Sequence, residues 1–150
     1  MQDQTMDHVN KIIQTNLDRR EGYDKAIEQT EDPQLKDLFQ DCKNQSEGYL
    51  SELREIAGRN GEEPVSDTSA AGDLYRVWMD IKQALSVNNT KAVLQSCERG
   101  EDVALNAYRK ATDPEESDAV TDGPVLSTLN KQKDGILTMH NRVKALRDMQ

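Results

Sequence analysis

Apolar residues recur along this chain at spacings of three and four, the period of an α-helix with one buried face. From about Thr5 to Thr30 the stripe is Val9, Ile12, Ile13, Asn16, Arg20, Tyr23 and Ile27, with polar members at Asn16 and Arg20. Glu31-Asp32-Pro33 breaks the pattern: Asp32 can cap and Pro33 suits a first helical position. A second helix then runs to about Ala57, turning Leu35, Leu38, Phe39, Cys42, Ser46, Tyr49, Leu50, Leu53 and Ile56 inward. So short a connection makes these two helices antiparallel neighbours. Gly58 to Ala71 carries Gly58, Gly61 and Pro64 among polar residues and reads as a linker. Asp73 to Ser86 is amphipathic, with Leu74, Val77, Trp78, Ile81 and Leu85 on one face. After the capping run Asn88-Asn89-Thr90, a helix from Lys91 to about Thr112 aligns Leu94, Cys97, Glu101, Ala104, Leu105 and Tyr108. Asp122-Gly123-Pro124 restarts the chain for a last helix to Asp148, along Leu126, Leu129, Lys133, Ile136, Leu137, His140, Val143 and Arg147.

These elements predict one all-α domain over residues 1–150. The linker and the Trp78 helix together make about thirty residues, enough at ~1.5 Å per helical residue to travel the length of a bundle. They form a long crossover carrying an extra short helix between long helices two and three. Long helices two and three then run parallel, the connectivity of a ferritin-like four-helix bundle. Each long helix also holds an interior glycine, at Gly22, Gly48, Gly100 and Gly135. Each costs about 0.5–1 kcal/mol against alanine. Most face away from the stripe, where a second backbone could approach, from the Trp78 helix or from another subunit.

Composition narrows the function classes. The formal net charge of −9 argues against nucleic acid and against an anionic membrane surface, both of which need clustered Lys and Arg. The start, Met1 to Asp7, has neither a basic region nor an apolar run, and no stretch is long and apolar enough for a membrane span. Two cysteines far apart in sequence suit free thiols in a reducing compartment, and the expected location is the cytoplasm. No phosphate-binding glycine loop, Gly-x-Ser-x-Gly elbow or Cys-x-x-Cys occurs.

The candidate chemistry lies where polar residues interrupt the stripes. Aligning the helices from their connections puts Cys42 level with Cys97, Ser46 level with Glu101, and His140 within a turn of Glu101. A carboxylate in a buried seam must be answered by donors. The expected network is Asn16, Arg20, Tyr23, Ser46, Glu101 and His140, a satisfied core cluster that sets helix register. The alternative is an iron or zinc site drawn from Glu21, Glu101, His140, Cys42 and Cys97. A di-iron bundle needs two Glu-x-x-His motifs, but Leu137 stands three before His140 and Leu50 three after Glu47. A third reading is thiol redox chemistry between Cys42 and Cys97, if the two face each other.

Several of these segments look familiar together. Glu21-Gly22-Tyr23, Leu74-Tyr75-Arg76-Val77-Trp78-Met79-Asp80 with Lys82 and Ala84-Leu85, Cys97-Glu98-Arg99-Gly100-Glu101-Asp102, and His140 through Arg147-Asp148 resemble a bacterial family. It is the ferritin-like four-helix-bundle family of a domain of unknown function. The resemblance spans nearly the whole chain and implies a ferritin-like fold without an established activity or catalytic residue. The expectation is a non-catalytic bundle without cofactor, stress-associated or an interaction module. Its expected assembly is a homodimer through the glycine-bearing faces, since two-fold pairing is the commonest.

Overall fold

The computed structural model describes residues 3–68 and 72–150, and among them every regular element is helical. The helices are α1 (Asp3–Gln29), α2 (Pro33–Arg59), α3 (Asp73–Ser86), α4 (Thr90–Thr112) and α5 (Gly123–Asp148). The predicted starts are set by side-chain caps. Asp32 accepts from the amides of Gln34 and Leu35, Asn89 from Ala92, and Asp122 from Val125. Each cap satisfies amides that the first helical turn leaves without a backbone partner. None of the described helices is long and apolar enough to cross a membrane.

Cross-chain contacts give the topology. Residues 16 and 19 of α1 bond to residues 108 and 101 of α4, so α1 and α4 are antiparallel. Asp41 pairs with Arg142, and Glu52 bonds to Gln132, so α2 and α5 are antiparallel too. The four long helices pack in the cyclic order α1, α2, α5, α4, with α2 and α4 on a diagonal and parallel. The stretch after α2 climbs back along α1, where Asp67 O accepts from Gln14 at 2.8 Å. Helix α3 then lies in the slot between α1 and α4.

The core has two apolar ends. One is built from Val9, Ile13, Leu53, Leu105, Leu129 and their neighbours. The other holds Tyr23, Phe39, Leu94, Val143 and the inner face of α3, with Trp78, Ile81 and Ala84. Buried Asn16, Arg19, Ser46 and Glu101 lie between them.

Three of the four interior glycines face their own chain. A methyl on Gly22 would lie 3.7 Å from Trp78 Cβ, and one on Gly100 would lie 3.0 Å from Val77 Cγ1. The contact at Gly22 is an ordinary one, whereas Gly100 lets α3 approach α4 closely. A methyl on Gly135 would fall 1.9 Å from the Tyr49 hydroxyl. Only at Gly48, of the four, is there open space within 4 Å. Of the four, only Gly48 therefore leaves room for the backbone of a second subunit. Substitution by alanine should split accordingly. Gly48→Ala is expected to stabilise by about 0.5–1 kcal/mol through helix propensity. Gly135→Ala should destabilise by about 1–3 kcal/mol, because the Tyr49 ring must leave its seat. Denaturant melts of both variants check the opposite signs.

Candidate functional site

Helix α1 presents Asn16, Arg19 and Tyr23 to the middle of the bundle, spaced three and four apart so that they share a face. Helix α2 adds Cys42 and Ser46, and α4 adds Cys97 and Glu101, all fully buried. At the centre Arg19 grips Glu101 with two bonds, Nε to Oε2 at 2.9 Å and Nη2 to Oε1 at 2.7 Å. The two side chains are only 2% and 1% exposed. The remaining arm of Arg19 donates from Nη1 to Ser46 Oγ at 2.9 Å and to the Cys42 carbonyl at 3.4 Å. Such a planar fork fits a carboxylate bidentately and keeps donors for a third helix.

A chain of bonds continues from this pair toward the surface. Ser46 Oγ donates to Asn16 Oδ1 at 3.0 Å, and Asn16 Nδ2 donates to the Tyr108 hydroxyl at 2.9 Å. Tyr108 donates to Gln132 Oε1 at 2.7 Å, and Gln132 Nε2 donates to exposed Glu52 at 3.1 Å. Every long helix contributes a member. On the other side, the Cys42 thiol donates to Glu101 Oε1 at 3.7 Å, and the Tyr23 ring lies 5.7 Å from the guanidinium carbon of Arg19.

The electrostatics follow from burial and from the ion pair. Burial works against the charge on Arg19, yet neighbouring Glu101 more than restores it and holds the pKa above the usual range. Burial, with the Glu101 carboxylate nearby, pushes the Cys42 thiol up to about 12. Burial likewise raises Cys97 well above its ordinary value, with Cys42 and then Glu101 adding to the effect. The thiols are therefore protonated and poorly nucleophilic. No Cα of α2 lies within 8 Å of a Cα of α4. A disulfide needs Cα atoms within about 7 Å, so Cys42 and Cys97 cannot bridge without moving a helix.

The structure brings Asn16, Tyr23, Ser46 and Glu101 together, but two residues assigned to this cluster lie elsewhere. The cation is Arg19, not Arg20. Arg20 is half-buried and close enough to Lys43 to oppose its charge. Because α3 covers one side of α1, the buried face of its later turns shifts toward Gly22 and Ala26, and Arg19 falls inside it. His140 does not reach Glu101. Its Nε2 lies 2.9 Å from Asp102 Oδ1 and 3.8 Å from Glu98 Oε2 on the flank between α4 and α5, where Arg147 also pairs with Glu98. Successive helical residues differ by about 100°, so Glu101 turns to α1 while Asp102 turns toward α5. Glu21 faces outward and pairs with Lys25 at 3.3 Å. Of the proposed metal set Glu21, Glu101, His140, Cys42 and Cys97, the structure thus separates Glu21 and His140 from the buried Cys42, Cys97 and Glu101. No three His, Cys, Asp or Glu side chains among the described residues converge as metal donors.

Sequence reasoning missed Gln132 as well, choosing Lys133 for the α5 stripe. Either residue fits a spacing of three and four between Leu129 and Ile136. Gln132 is buried, and Lys133 reaches only Thr112 Oγ1 at 3.4 Å. A void of about 20 Å³ under α3, walled mainly by apolar groups, borders Arg19 and Glu101 and has room for one water-sized molecule at most.

Two outcomes follow from this geometry. Glu101→Ala should cost about 3–5 kcal/mol, since it leaves Arg19 buried and unpaired. The melting temperature should fall on the order of 10 °C. Replacing both partners by Met and Leu should cost much less than the two single changes added together. The second outcome concerns alkali. Below about pH 8.5 the folded and unfolded chains both keep their thiol protons. Above that only the unfolded chain releases them, so stability declines by about 1.4 kcal/mol per pH unit for each thiol. For Cys42 that decline extends to about pH 12. Cys42→Ala should flatten the alkaline limb of a stability–pH curve.

No curated protein matches the chain. Residues 4–114 match the family described as a domain of unknown function, DUF2383, a span that includes Asn16, Arg19, Cys42, Ser46, Glu101 and Tyr108. With α1 through α4 and the central ion pair inside that match, the chain belongs to the DUF2383 family.

Proposed function

We propose that this protein is a ferritin-like bundle that performs no catalysis, serving as a cytoplasmic interaction or scaffold module whose polar centre is structural. The observation that carries this reading is the Arg19–Glu101 pair, closed on itself at 2.7 and 2.9 Å. A permanent guanidinium in the middle of the bundle repels a cation, and both Glu101 oxygens already accept bonds. The nearest candidate nucleophile, the Cys42 thiol, is held protonated. The up-down-down-up course of α1, α2, α4 and α5 supports the ferritin-like assignment.

Metal analysis tests the proposal. Protein purified without an affinity tag should carry iron and zinc far below one equivalent per chain. Stoichiometric metal that disappears in Glu101→Gln or His140→Ala would overturn it.

A further inference from the structure

Helix α3 differs from the other four in how it is held. It packs on α1 and α4 alone, whereas the long helices close a ring among themselves. Its residues contribute to one end of the core and not to the other, which is completed by the long helices and Val120. At its N-terminus Gly72 supplies no capping side chain, unlike Asp32, Asn89 and Asp122 at α2, α4 and α5. At its other end a short joint leads into α4, with Asn88 in the left-handed region at φ 54°. Its polar tie to α4 is the exposed pair Asp80–Arg99 at 3.0 Å, the kind that salt screens.

What lies beneath α3 makes its departure easier. Arg19, Glu101 and Tyr23 line the small void between α3 and the bundle. Gly22 and Gly100 border the same void, so no side chain of theirs would shield the pair once α3 lifted away. Water entering there would hydrate two charges that folding had stripped of solvent, offsetting part of the exposure of Trp78 and Ile81. We propose that α3 is a releasable cover, leaving its slot as a unit while the four long helices stay folded and admitting water to the Arg19–Glu101 pair. This rests on the packing of α3 and is independent of the functional reading above.

Trp78 is the chain's single tryptophan, so its fluorescence reports on α3 directly. In a denaturant titration of the full chain, the Trp78 emission should shift at a lower concentration than the main loss of helical circular dichroism. Ile81→Ala should move the Trp78 transition lower still and leave the main transition in place. Amides of α3 should exchange with solvent at least ~10-fold faster than core amides of α4, as expected for a subglobal opening. Coincident transitions in the parent chain, with Ile81→Ala shifting both together and α3 amides as protected as those of α4, would overturn the proposal.

Discussion

Everything in this bundle is arranged around one pair of opposite charges removed from water. A guanidinium and a carboxylate lose several kcal/mol each on desolvation, and only good geometry and further hydrogen bonds recover it. Arg19, carried by α1, meets that requirement by bonding to two further helices: α2 through Ser46 and the Cys42 carbonyl, and α4 through Glu101. The Asn16–Tyr108–Gln132 chain extends the same requirement to α5. Sliding any long helix by one turn would set a charge or an amide against an apolar end of the core. The polar belt thus specifies axial register, while Leu, Ile and Val on either side supply most of the burial.

Helix α3 is the element that completes the burial of the pair. Its close approach to α4 depends on one position without a side chain, Gly100. Alanine there would be a better helix former, yet its methyl would crowd Val77 at 3.0 Å. The glycine in α4 is therefore part of the docking of a helix to which it does not belong. The high proton affinity of the Cys42 and Cys97 thiols comes from burial at this centre and from the neighbouring Glu101 carboxylate.

Much of the architecture was legible in the residues themselves. Asp32-Pro33, Asn89 and Asp122 announced helix starts with cap chemistry that acts locally, and a crossover of about thirty residues could reach the far end of a bundle. The central site was legible only in outline. Periodicity locates a buried face to within one residue, about 100° of rotation, and that is the difference between Arg19 and Arg20 or between Gln132 and Lys133. For Arg19 the choice depended on α3, whose cover widens the buried face of α1, and no local signal in α1 carries that information. His140 erred for a related reason: level along the axis does not give direction around it. Its imidazole meets Asp102 on the flank rather than Glu101 at the centre.

The two ends of the central ion pair stand 82 positions apart in the chain. Neither can change its chemistry alone without stranding the other in the core. Passage from a charged centre to a neutral one therefore runs through a destabilised intermediate unless both positions change together.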